Sequence, residues 1–259
     1  MYRHHQETID NISEKLQQRD DVLGLLITGS IAHGFETEIS DVDVMILVSP
    51  EDFEARMLSG AVTYHETESC TYKGGYIDGK YSSIDFLRKV ADHGSEPARF
   101  AFEGAKVAFC KIDGVQELLG EICRYPVEKK LDNIKRFYAQ FEASVWYYFE
   151  SVKHNNAHLL HYSITNMVLF GGRLILAHNE LLYPYHKWFL RMLGRASAKP
   201  DNLAELIHNV YEHKDEQSVK ALYETIKNFT NWGVVAWPAQ FMMDSELSWM
   251  HDRQPIADM

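Results

Sequence analysis

The 259-residue sequence predicts an α+β chain in two parts, an α/β part up to about Lys111 and an all-α part beyond it. Three observations predict this. The first part alternates short apolar runs with glycine-containing turns, the second shows apolar residues at helical spacing, and no repeat, low-complexity tract or Pro/Gly-rich linker separates them. At 46% hydrophobic residues the chain has enough apolar material to bury two modest cores.

In chain order, residues 8–19 read as a helix with Ile9, Ile12 and Leu16 on one face. The preceding His4-His5 reads as a flexible terminus. Residues 22–28 (VLGLLIT) form a buried strand stopped by Gly29, and residues 42–48 a second strand ended by Ser49 and Pro50. A third strand is expected within 75–81. Ser82, with Asp85 three residues on, fits a capping box opening a helix over 83–92 that Gly94 closes. Further on, Ile134, Phe137, Phe141, Val145, Tyr148 and Val152 recur at helical spacing, as do Leu160, Ile164, Met167, Gly171 and Leu174. Two long helices follow, joined by a polar break at 154–157. Additional helices over 184–193, 203–213 and 216–229 make this part a bundle. The weakly patterned tail from Asp244 receives no assignment.

Composition excludes several classes. Cys70, Cys110 and Cys123 lack the spacing of a structural zinc site or a disulfide framework. The formal charge of −11 opposes a long polynucleotide substrate, whose binding normally rests on a basic surface, though a local basic groove for a triphosphate is compatible with it. The polar start, MYRHHQETIDNISEKL, is expected to be neither a signal peptide nor an anchor, and no run is expected to approach membrane-spanning length, the apolar stretches near Leu25 and Val44 being short and bounded by Gly, Asp and Pro. The expected compartment is the cytoplasm, with no membrane partner.

The segment that carries chemistry is Gly29-Ser30, a connector, then Asp41-Val42-Asp43 at the entry of an apolar strand. Side chains alternate along a strand, so Asp41 and Asp43 share one face while Val42, Val44 and Ile46 point into the core. Paired carboxylates repel unless a cation lies between them, and a hard divalent ion such as Mg²⁺ is the natural partner. A glycine after a buried strand lets backbone N–H groups approach an anion, and the Ser30 hydroxyl adds a donor.

Written out, TGSIAHGFETEISDVDVMILV resembles the hallmark of the polymerase-β-like nucleotidyltransferase superfamily: Gly-Ser, a connector of variable length, then Asp-x-Asp. The flanking apolar strands, Gly34 in the connector and Ser40 before Asp41 fit that resemblance. The helical part is similar in general texture to the C-terminal domains of antibiotic nucleotidyltransferases. The resemblance implies a small mixed-sheet nucleotidyltransferase domain over 1–119, followed by a helical bundle over 120–259 that binds the acceptor and closes the cleft. It implies transfer of a nucleoside monophosphate from a nucleoside triphosphate, ATP by default, to a hydroxyl of a small-molecule acceptor such as an aminoglycoside-like compound. Two Mg²⁺ ions are implied, held by Asp41, Asp43 and a third carboxylate that also helps deprotonate the acceptor, with Gly29 and Ser30 on the β and γ phosphates.

For the third carboxylate Asp78 is preferred over Asp85, because an aspartate inside a strand needs a reason, whereas Asp85 has one as a capping residue. Asp78-Gly79 also reads as a hairpin turn. Arg173 and Lys187 are the expected triphosphate cations, with surface or capping roles as the alternative.

Rival readings are set beside this one. Residues 74–81 (GGYIDGKY) nearly spell a phosphate-binding P-loop, but Tyr81 stands where a hydroxyl should bind Mg²⁺. Arg173 and His178 resemble the R-x4-H motif of HEPN-type ribonucleases, yet on one helix they point apart. His154, His158 and His161 have the spacing of a shared helix face without a completing carboxylate. A regulatory protein of this fold that binds or modifies a protein partner is a further alternative.

Overall fold

The computed structural model describes residues 1–251, so the last residues of the expected second domain, 252–259, lie outside the described part. The chain divides into two compact units, Met1–Arg124 and Tyr125–Met259. The expected break after residue 119 falls inside helix Val115–Ile122, whose Leu119 is buried.

In the first unit α1 (Arg3–Gln17) begins earlier than the apolar spacing predicts. Its buried stripe extends back through Thr8 to His5, which is 0% exposed, so His4-His5 is helical rather than a loose terminus. A five-stranded mixed sheet follows in the order β3-β4-β2-β1-β5, built from β1 (Gly24–Ile27), β2 (Val42–Val48), β3 (Thr63–Glu66), β4 (Ile77–Ser83) and β5 (Lys106–Cys110). β1 pairs antiparallel with β2 and with β5, β3 pairs antiparallel with β4, and β2 runs parallel to β4. A parallel pair needs a crossover, here α3 (Pro50–Ser59) and β3.

Alternation along the strands sorts the apolar residues into two cores. Val42, Val44, Ile46 and Val48 join Leu25, Ile27 and Ile77 against Ile9, Ile12 and Leu16 of α1. The other face, with Leu26 and Leu47, packs on Leu87 and Val90 of α4 (Ile84–His93) and on Val115, Leu119 and Ile122 of α6 (Val115–Ile122). The short α5 (Glu96–Phe100) lies between those helices in sequence.

The cap of α4 corrects the sequence reading. Ser82 belongs to β4, and Ser83 is the N-cap, its Oγ accepting from Phe86 N at 3.2 Å. Asp85 sits in the first turn, where it pairs with Arg88 at 2.9 Å. Ser83→Ala is expected to cost about 1 kcal/mol of stability, the usual worth of such a cap, measurable by denaturant unfolding. The near P-loop is also resolved: Gly74 (φ 77°) sits in a turn, residues 77–83 pair with β2, and residues 77–80 pair with β3 as well.

The second unit is helical. α7 (Lys130–Lys153) and α8 (Ala157–His178) pack along each other, joined by a polar break whose Asn156 caps α8 by accepting from Leu159 N at 3.0 Å. Gly171 and Gly172 permit close approach: an added Cβ would stand 2.7 Å from Ile226 Cδ1 at the first and 2.3 Å from Phe189 Cζ at the second. α9 (Phe189–Arg195) starts later than the expected 184–193, because Tyr185 has φ 68° and a 3₁₀ turn, His186–Trp188, precedes the helix. α10 (Leu203–His213), α11 (Glu216–Lys227) and α12 (Trp237–Phe241) follow, then a π-helical turn Met242–Glu246 and a 3₁₀ turn Ser248–His251. One expectation is corrected here: α8 is long and apolar enough to cross a membrane by length and composition, with 50% of that stretch buried within the protein.

Candidate active site

β1 ends at Ile27, and Thr28 N donates to Asp43 O at 2.9 Å, so the chain leaves the sheet beside Asp43. It turns at Gly29, whose φ is 62°; a Cβ there would lie 1.8 Å from Asp43 Oδ2 and 2.4 Å from its Cγ. Only glycine fits, for conformation and for space. A single helical turn, α2 (Gly29–His33), follows. It closes at Gly34 (φ 67°), with Gly34 N donating to Ile31 O at 3.3 Å and Phe35 N to Ser30 O at 2.8 Å, a Schellman arrangement. Ser30 is buried, and its Oγ has no hydrogen-bond partner among the described residues.

Asp41 immediately precedes β2 and Asp43 is its second residue, so their side chains share a face. Across the parallel pairing Asp43 is in register with Asp78 of β4, which puts Asp78 on the same face, one strand away. Further along that face, Met45 joins and Leu47 lies within the core under α4 and α6, while Asp41 and Asp43 are only half-buried. Tyr76 lies beside Asp41, Val42 N donating to its carbonyl at 3.2 Å. The Tyr76 phenol is held above its ordinary pKa first by the negative charge of Asp41 and by the bond its hydroxyl donates to that carboxylate, then by slight burial and by the charges of Asp78 and Asp43. The fields of all three carboxylates therefore meet at one hydroxyl. Asp85, beyond the far end of β4, is not part of this group.

Asp78 also meets His65 of β3, its neighbour in register, with His65 Nδ1 2.7 Å from Asp78 Oδ1. A carboxylate only accepts, so Nδ1 is the donor. The connector before Asp41 is fastened as well. Ser40 N donates to Thr37 O at 3.1 Å, Ser40 Oγ accepts from Thr37 N at 2.9 Å, and Ser40 O accepts from both His5 Nε2 (3.0 Å) and Tyr72 Oη (2.6 Å).

The donor set suits Mg²⁺. Among the described residues no three His, Cys, Asp or Glu side chains close around one point as a preformed metal cage. Mg²⁺ is commonly bound by one or two carboxylates together with substrate phosphates and water, and Asp41 with Asp43, beside a turn that leaves a buried hydroxyl without a partner, matches that description. Gly29, Ser30, Asp41, Asp43 and Asp78 are thus neighbours within the first unit.

Arg173 and Lys187 belong to the second unit. The Arg173 guanidinium lies between the rings of Phe137 (4.1 Å) and Tyr183 (4.3 Å), and exposed Lys187 stands over Trp188 at 4.9 Å. His178 contacts Phe229 and Trp232 instead, so Arg173 and His178 have separate surroundings. His154 pairs with Glu150, and no metal cluster forms with His158 and His161 among the described residues. The sequence reading missed His65, Tyr72 and Tyr76. No local signal marks either contact: the four-residue strand Thr63–Glu66 that carries His65 is too short for a periodicity to show, and the Tyr72 contact spans 32 residues.

An acidic strand face against a glycine turn, on a mixed sheet covered by helices, defines an α+β domain suited to a metal-bound polyphosphate. Residues 9–121 match the nucleotidyltransferase domain family, and the N-terminal unit is therefore a nucleotidyltransferase domain of the polymerase-β-like superfamily. No curated protein matches the chain. Among solved structures, a nucleotidyltransferase-like protein from Exiguobacterium sibiricum 255-15 is similar, at a TM-score of 0.47 and 12% identity over 96% of this chain and 81% of that one.

Proposed function

We propose that this protein transfers a nucleoside monophosphate from a nucleoside triphosphate, with ATP as the default donor, to a hydroxyl of a small-molecule acceptor. The observation that carries the reading is the contact of Gly29 with the Asp43 carboxylate, which leaves no room for a side chain between the turn and the acid. A turn that can approach phosphate oxygens and a carboxylate that can hold their counter-cation are then immediate neighbours.

Asp41 and Asp43, with Asp78 as the third carboxylate, are the residues that would hold Mg²⁺. Bound there, Mg²⁺ supplies neutralisation of the triphosphate charge and acidification of an attacking hydroxyl. Ser30 Oγ donates to a phosphate oxygen, and Gly29 lets the backbone approach the same group. Asp78, steadied by His65, takes the acceptor's proton as the acceptor oxygen bonds to the α-phosphorus. The bridging bond to the β-phosphate breaks, and pyrophosphate leaves. The cytoplasm, which supplies triphosphate and Mg²⁺, is the assigned place of action.

Incubation with labelled ATP, Mg²⁺ and a panel of hydroxylated antibiotics and metabolites is expected to label one acceptor class. A protein that neither labels any acceptor nor binds ATP in a Mg²⁺-dependent way sinks the proposal. Ser30→Ala gives a sharper check. Its buried hydroxyl has no partner to lose among the described residues, so stability is expected to hold or rise slightly, while ATP affinity falls roughly tenfold or more, as for a lost bond to a charged group. Calorimetric binding beside a thermal melt reads both.

A further inference from the structure

We infer that Tyr72, together with His5, is a positioning residue for Asp41: two donors from separate parts of the fold clamp the Ser40 carbonyl and so aim the carboxylate that follows it. The inference rests on the metal-binding reading of Asp41 given above. Tyr72 Oη donates to Ser40 O at 2.6 Å from the β3–β4 loop, and His5 Nε2 donates to the same oxygen at 3.0 Å from α1. That carbonyl shares its peptide plane with the Asp41 nitrogen, so fixing it fixes how the backbone enters Asp41. The other side of Ser40 is already fixed by its two bonds to Thr37.

Tyr72 cannot swing away. Its ring lies 4.4 Å from the His4 ring and 5.3 Å from the His5 ring by centroid, and a Cβ at Gly75 would come 2.6 Å from Tyr72 Cζ. His5 shows what the clamp is for. It is fully buried, and its Nδ1 has no hydrogen-bond partner among the described residues, an arrangement an apolar side chain would avoid. What the imidazole adds at this position is the Nε2 donor. Burial, and secondarily His4, lowers the His5 pKa, which keeps the ring neutral; with Nε2 facing a carbonyl, Nε2 carries the proton.

The test is Mn²⁺ binding followed by electron paramagnetic resonance in the presence of a non-hydrolysable ATP analogue, with circular dichroism to verify folding. Tyr72→Phe keeps the ring and removes the donor; the Mn²⁺ dissociation constant is expected to rise about five- to tenfold. His5→Leu is expected to give a loss of the same order, and His5→Gln, whose amide offers an N–H, to recover most of it. Folding alone does not predict that recovery. Wild-type Mn²⁺ affinity in folded Tyr72→Phe and His5→Leu overturns the inference, provided Asp41→Ala lowers it. If Asp41→Ala binds Mn²⁺ like the wild type, or the wild type does not bind it, the functional reading falls and the clamp falls with it.

Discussion

Replacing Asp43 by alanine is expected to lower nucleotidyl transfer at least about a thousandfold while the protein stays folded, and Asp41→Ala to do nearly the same. The size follows from what is removed: a group that stabilises charge developing at phosphorus contributes on the order of a hundred- to a thousandfold, and a metal it helps to hold adds several kcal/mol more. Stability should change little, because Asp43 stands among like charges, with Asp41 two residues away on its face and Asp78 in register on the next strand. Removing one charge relieves repulsion. Asp43→Asn separates charge from shape: it retains the packing against Gly29 and is expected to be as inactive as the alanine variant. Single-turnover transfer measured beside a thermal melt decides the matter, and folded variants of both aspartates with wild-type turnover leave no place for the proposed chemistry.

Gly29→Ala carries the second-largest expected effect and tests the same neighbourhood from the other side. Two penalties combine. The residue has φ 62°, a region that costs a side-chain-bearing residue about 1–2 kcal/mol, and its new Cβ would occupy the space of the Asp43 carboxylate. A fall in melting temperature of roughly 5–10 °C is expected, with transfer reduced at least about a hundredfold because the proposed function puts the displaced carboxylate at the reacting centre. Gly34→Ala is the control. Gly34 also has positive φ, 67°, but nothing lies within 4 Å of its Cβ position, so the variant carries the conformational cost alone and should keep most of its activity. Equal activity losses in the two variants would point to backbone strain rather than to contact with Asp43.

The central strands and the acidic pair were legible in the sequence because their signals are local. Alternation in Val42–Val48 assigns faces without any knowledge of neighbours, and a glycine after an apolar run marks the turn. The long helices α7 and α8 were legible for the same reason, carrying many turns of repeating apolar positions. The edge strands β3 and β5 are four and five residues long and partly exposed, too short for periodicity to distinguish them from loop. Ser83 took the cap from Ser82 because the strand pairing with β2 continues through residue 83, a tertiary fact. His5 was misread for a related reason: a histidine pair near a terminus looks solvated until a carbonyl some 35 residues away is known to await a donor.

The shared direction of β2 and β4 has a consequence for engineering. Both strands enter the sheet at the rim where β1 leaves it, so the acids and the bend are fastened by ladder bonds there and not by the excursion that links the two strands. The crest of that excursion, around Leu58 (92% exposed) and Gly60, is then a place where residues can be inserted or a reporter grafted while the acidic rim keeps its spacing.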